Sequence, residues 1–73
     1  MYFYNSPVGL MEIRYDTSNN RYLLIIKGMC YGAYPSPLAA ADDVYMHVTG
    51  FYEWDSLSRD VSKPRNIKEW EKE

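Results

Sequence analysis

Cysteine and histidine are nearly absent from this chain of 73 residues, which has one of each, Cys30 and His47. A lone cysteine excludes an internal disulfide, and no Cys/His cluster offers the ligand spacing of a structural zinc site. No apolar run reaches the ~18 residues that a membrane-spanning helix needs. Cationic charge is not in excess either: 8 Lys and Arg stand against 10 Asp and Glu, for a formal charge of −2. An acidic chain lacks the attraction to phosphate backbones that dominates nucleic-acid affinity, so nucleic acid is a disfavoured partner. Met1-Tyr2-Phe3-Tyr4 has neither the basic stretch nor the long apolar stretch of a signal peptide, and a reducing, cytoplasmic compartment is the expectation.

What the chain has instead is aromatic side chains: eight Tyr, two Trp and two Phe. A chain this short buries only about 60% of its unfolded surface, and its core supplies on the order of 3–5 kcal/mol. Without a disulfide or a metal, the remaining supports are dense aromatic packing and self-association. One domain is expected over residues 1–73, with a sheet-plus-helix core over 1–50 and a packing tail over 51–73 whose last residues fray.

The most informative stretch is Leu23 to Val48. From Val8 to Tyr15 the pattern alternates, with Met11, Ile13 and Tyr15 on one side and Leu10, Glu12 and Arg14 on the other, as in a half-buried strand. Asp16-Thr17-Ser18-Asn19-Asn20 reads as a hairpin loop, because Asp and Asn side chains bond their own backbone and Asn tolerates left-handed φ. Arg21 to Lys27 is a second strand, apolar on both faces, and Lys27-Gly28 is a two-residue turn into a third. That turn pairs Ile26 with Met29, Leu24 with Tyr31 and Tyr22 with Ala33. One face then holds Tyr22, Leu24, Ile26, Met29, Tyr31 and Ala33. The other holds Leu23, Ile25, Cys30, Gly32 and Tyr34, framed by Arg21 and Lys27. Tyr2-Phe3-Tyr4, closed by Asn5-Ser6-Pro7, is a short strand or a flap.

Ser36 suits an N-cap and Pro37 a first helical position, so a helix is predicted from Ser36 to Thr49, ending at Gly50 in left-handed geometry. Leu38, Ala41, Val44, Tyr45 and Val48 would form its buried face. After the aromatic cluster Phe51-Tyr52-Glu53-Trp54, Asp55 is placed as the cap of a short helix through Asp60, and a last turn follows at Ile67-Lys68-Glu69-Trp70. The predicted class is α+β: a three-stranded antiparallel sheet packed on one α-helix, with a C-terminal tail containing a short helix or turn.

Chemistry-bearing constellations are sparse. Asp43 and His47 lie one helical turn apart, with Glu53 the nearest further carboxylate. Zinc wants three or more ligands, and a helix-surface Asp–His pair is the simpler account. Cys30 falls mid-strand among aliphatics, where a free thiol behaves as a small hydrophobe. Asp42 and Asp43 are adjacent on a helix and diverge by about 100°, too far to serve one substrate. No glycine spacing matches a phosphate loop. No catalysis, no cofactor and no metal are expected.

Gly32-Ala33-Tyr34-Pro35-Ser36-Pro37-Leu38-Ala39-Ala40-Ala41 resembles the Gly-x-aromatic-x-Ser/Thr then Ala-Ala pattern of the plant ethylene-response-factor type of DNA-binding domain. That family, with related domains that accompany phage integrases, packs a three-stranded antiparallel sheet on one helix. The chain as a whole also resembles small uncharacterised bacterial proteins of ββ-turn-βα plan with a Trp-bearing acidic tail, which implies no activity. The DNA-binding family presents Arg and Trp on its open sheet face, where this chain has Leu23, Ile25 and Cys30. The resemblance therefore implies the fold and not the DNA contacts.

Two functional classes follow. The first is a protein-interaction or structural module, able to bind a protein partner or a second copy of itself, with Arg14, Arg21, Leu23, Ile25, Lys27 and Tyr34 as its interaction surface. The second is a nucleic-acid-binding sheet using Arg14, Arg21 and Lys27 with Tyr34 between them. Both depend on what covers the second sheet face, and the tail carrying Trp54 and Trp70 is the expected cover.

Overall fold

The structure, a computed structural model, describes residues 1–57 and 60–73. Alternating strand residues joined by short turns build an antiparallel meander: β1 (Tyr2–Ser6), β2 (Gly9–Asp16), β3 (Arg21–Ile26) and β4 (Met29–Tyr34). Helix α1 (Pro37–Tyr45), helix α2 (Tyr52–Asp55), a 3-10 turn (Ile67–Glu69) and a two-residue strand β5 (Glu71–Lys72) follow. The class is α+β, but the predicted three-stranded sheet is corrected to five strands in the order β4-β3-β2-β1-β5.

The two added strands come from the chain's ends. Tyr2-Phe3-Tyr4 pairs with β2, Tyr2 opposite Ile13 and Tyr4 opposite Met11, so both tyrosines join the inner face and Phe3 takes the outer one. Ser6 closes this hairpin by donating to the Gly9 carbonyl at 2.6 Å while accepting from the Val8 amide at 3.2 Å. The C-terminal residues, expected to fray, pair with β1 through Tyr2–Lys72 and Phe3–Glu71. Nothing in Glu71-Lys72-Glu73 has strand character of its own, so the pairing is a tertiary effect.

The loop after β2 is built as its residues demand. Asp16 accepts from the Ser18 amide at 3.0 Å and the Asn19 side chain at 2.9 Å, and Asn20 adopts φ 53°. The next turn places both Lys27 (φ 53°) and Gly28 (φ 83°) at positive φ, the geometry that matches strand twist in two-residue hairpins.

The register beyond that turn differs from expectation. Ile26 faces Met29 and Ile25 faces Cys30, but Leu24 faces Gly32, Leu23 faces Ala33 and Tyr22 faces Tyr34. A bulge inserts Tyr31 as an extra residue, so the pairs Leu24–Tyr31 and Tyr22–Ala33 do not form. Every later β4 side chain changes face. Tyr34 moves to the helix side, and its ring lies over Gly32, where an added Cβ would stand 3.0–3.2 Å from it. Tyr31 turns into the core and packs on Phe51, ring centroids 5.1 Å apart.

Ser36 caps α1 as its sequence suggests, its hydroxyl accepting from the Ala39 amide at 3.2 Å. The helix is shorter than predicted, ending at Tyr45 rather than Thr49. His47, not Gly50, first takes the left-handed position (φ 58°), and the His47 and Val48 amides donate back to Val44 and Asp43 at 3.2 and 3.0 Å. That pair of bonds is the Schellman closure of a helix C-terminus. The buried face is also narrower than predicted. Ala40, Ala41 and Val44 are buried, whereas Leu38 is 60% exposed and Val48 59%. Small alanines let the helix backbone lie close to the sheet, and their neighbours project past its edge.

The tail corrects the largest expectation. Trp54 is fully buried and Trp70 nearly so, but both join Met11, Ile13, Leu24, Ile26 and the α1 alanines in one core on the inner face. Trp54 donates its indole N–H to the Val44 carbonyl at 2.8 Å, and Trp70 packs on Tyr4 with centroids 5.8 Å apart. Asp55 does not begin a helix; it ends α2. Its carboxylate accepts from the Thr49 amide, the Thr49 hydroxyl and the Gly50 amide at 2.8–3.0 Å, holding the α1–α2 turn closed. The helix expected from Asp55 through Asp60 runs across residues 58 and 59, which lie outside the described residues. Helix, tail and both tryptophans thus share one side of the sheet.

Candidate interaction face

The cross-strand register assigns the opposite side row by row. Across the middle run Cys30, Ile25, Glu12, Phe3 and Glu71, and beside them Ala33, Leu23 and Arg14. Toward one end stand Arg21 and Asp16, which are cross-strand neighbours, and toward the other Leu10 opposite Asn5. None of these residues belongs to the core or packs against it. Phe3, Leu23 and Ile25 are half-buried, and Leu10, Arg14, Cys30 and Ala33 are exposed.

Each strand contributes a different chemistry. β3 brings branched aliphatics because it is central and apolar on both faces. β2 alternates strictly, so its outward residues are Leu10, Glu12 and Arg14. β4 supplies small side chains at Cys30 and Ala33. The side chains of Glu12 and Arg14 carry no hydrogen bond or ion pair with any described residue of the chain. Three acids on the face (Glu12, Asp16, Glu71) are matched by three bases (Arg14, Arg21, Lys27), so the face is neutral on a chain of charge −2.

Of the surface residues predicted from sequence, Arg14, Arg21, Leu23 and Ile25 fall on this face. Lys27 sits at its rim, donating its amide to the Leu10 carbonyl at 3.0 Å and laying its aliphatic stem across Gly9. Tyr34 does not belong to it. The bulge turns Tyr34 inward, where its hydroxyl donates to Asp43 at 2.8 Å. Burial first, and then the bond and charge of Asp43, push its phenol well above the usual tyrosine range. Sequence reasoning missed Phe3, Glu12, Glu71 and Ala33 as members of the face. Glu12 was legible from the β2 alternation, whereas Phe3 and Glu71 needed the pairing of the two chain ends.

Asp43, His47 and Glu53 are not brought together as a site. Asp43 is engaged by Tyr34. His47 stacks on Trp54, centroids 4.8 Å apart and planes within 15°, with Nδ1 2.8 Å from the Trp54 carbonyl. Glu53 is exposed on α2. Among the described residues no group of three His, Cys, Asp or Glu is placed to hold a metal ion, and no helix is long and apolar enough to cross a membrane.

Fold and face together define a small α+β domain with a one-sided core and an open, neutral, partly apolar sheet face. Comparison with known proteins finds no matching family model, no matching curated protein and no matching solved structure.

Proposed function

We propose that the chain is a small non-catalytic binding module that docks protein on its outer sheet face. One observation carries this: α1, α2 and both tryptophans stack on the same side of the sheet, leaving Phe3, Leu23 and Ile25 outside the core among the described residues. Aliphatic and aromatic groups in the middle of a patch, with charge around and between them, are the composition of a protein interface. Nucleic acid fits less well. Arg21 stands directly across the ladder from Asp16, Glu12 lies two residues from Arg14 on the same strand, and the face as a whole presents no net positive charge to a phosphate backbone. Of the polar groups considered for catalysis, Asp43 accepts from Tyr34, His47 stacks on Trp54, and Glu53 stands apart on the exposed side of α2.

A photo-crosslinking residue at position 25, compared with one at position 38 on the exposed side of α1, tests this in the cell of origin. The expected result is a discrete protein adduct from position 25 and none from position 38. Absence of any adduct from position 25, or an adduct to nucleic acid in its place, refutes the proposal.

A further inference from the structure

The central rows of the outer face are complementary to themselves, whereas the flanking Arg21 of β3 and Lys27 just beyond it would oppose each other. A line drawn across the strands through Ile13, Leu24 and Gly32 divides its central residues into pairs. On β2 the line separates Glu12 from Arg14, on β3 it separates Ile25 from Leu23, and on β4, across the bulge, Cys30 from Ala33. Rotation by 180° about that line turns the face onto a second copy of itself. Glu12 then meets Arg14, Ile25 meets Leu23, and Cys30 meets Ala33. Opposite charges, branched aliphatics and small side chains are each matched with their own complement.

We infer that the partner docked on this face is a second copy of the chain, stacked face to face about a two-fold axis that lies across the strands at the level of Ile13. The inference rests on the proposed function and names its partner. A two-fold interface is isologous, so the Glu12–Arg14 contact occurs twice and a single self-complementary patch satisfies both copies. Both charges lack a described partner within the chain, and the stacking supplies one to each. At each end Asp16 lies one strand away from the Lys27 of the second copy, which relieves the approach of Lys27 to Arg21.

Size is consistent with the same partner. Four strands at a spacing of about 4.8 Å, with some six residues each rising ~3.3 Å, give a footprint of roughly 20 by 20 Å. With side-chain relief the buried surface is on the order of 600–800 Å² per copy, close to the ~800 Å² per partner of ordinary stable interfaces. Twisted sheets pack face to face about 10 Å apart at an angle near 30°, which keeps the paired rows within reach of each other.

Sedimentation velocity from micromolar to about 500 µM measures the association directly. The wild type is expected to form a reversible dimer. Glu12→Arg and Arg14→Glu each oppose like charges twice per dimer, so each raises the dissociation constant about tenfold or more, while the double exchange restores it. Ile25→Asp, also on the open face, abolishes the dimer while the far-UV circular dichroism stays that of the wild type. A wild-type chain that stays monomeric throughout overturns the inference. So does a dimer indifferent to the single exchanges, or one that the double exchange fails to restore. A discrete adduct from position 25 to a different protein, on a monomeric chain, overturns this inference and leaves the proposed function standing.

Discussion

The two tryptophans should respond differently to the same substitution. Both are buried, but Trp54 Nε1 donates to the Val44 carbonyl at 2.8 Å, whereas Trp70 Nε1 is buried without a partner among the described residues. Trp54→Phe removes a hydrogen bond worth about 1 kcal/mol. The Val44 carbonyl keeps a second donor, the His47 amide at 3.2 Å, so no acceptor is orphaned and that part of the cost stays modest. The smaller ring also leaves a cavity costing about 1 kcal/mol more, for a total of about 2 kcal/mol. Trp70→Phe leaves a similar cavity but removes an unpaired donor whose burial costs about 1–3 kcal/mol, so its net effect runs from about zero to a stabilisation of about 2 kcal/mol. Against a total stability on the order of 3–5 kcal/mol the contrast is large. Urea unfolding followed by far-UV circular dichroism reads it, and each variant keeps the other tryptophan as a fluorescent reporter. Equal costs, or a greater cost at Trp70, would refute the assignment of the two indole environments.

Tyr34→Phe should cost about 1–2 kcal/mol at neutral pH by removing the bond to Asp43. Because the folded state raises the Tyr34 pKa above its ordinary value, the unfolded state loses this proton first as pH rises. The contribution is therefore whole below about pH 10 and declines above it. Wild-type stability should fall more steeply than that of Tyr34→Phe in that alkaline window, read by unfolding curves at successive pH values. At position 47, which sits at φ 58°, glycine adopts the backbone freely and alanine does not, so His47→Ala should be less stable than His47→Gly by about 1 kcal/mol. Thermal melts decide this, and an order following helix propensity would show that the left-handed turn is absent.

Local chemistry was legible wherever a residue acts on its immediate neighbours. The alternation of Leu10 to Tyr15, the Asp16–Asn20 loop, the Lys27-Gly28 turn and the Ser36-Pro37 helix start all follow from short-range sterics and side-chain-to-backbone bonds. The extra residue at Tyr31 was not legible, because a bulge leaves no mark in periodicity until the strand partner is known. Its consequence was the inversion of Tyr34, which removed one member of the expected interaction surface and gave Asp43 a structural role. The helix end was missed for a related reason. Gly50 is the residue best suited to left-handed φ, but His47 adopts it three residues earlier and stacks on Trp54, a contact formed only once the tail has docked.

The placement of the tail was the least legible feature and matters most for function. Apolar residues on both sides of β3 said that each face wanted cover, and composition alone could not say which face the tryptophans would choose. Three alanines in α1 decide it physically. They leave a shallow helix face beside which Trp54 and Trp70 fit, so the inner side takes both tryptophans.

The central claim is that the core is one-sided, and two adjacent residues of β3 test it. Ile26 is fully buried on the inner face, and Ile25 stands on the outer one. Unfolding free energies of Ile26→Ala and Ile25→Ala should be measured at low protein concentration, where association does not contribute. A one-sided core predicts a loss of about 2–4 kcal/mol for Ile26→Ala and less than about 1 kcal/mol for Ile25→Ala. Comparable losses at the two positions would mean that the outer face is covered within the chain, and would contradict the account.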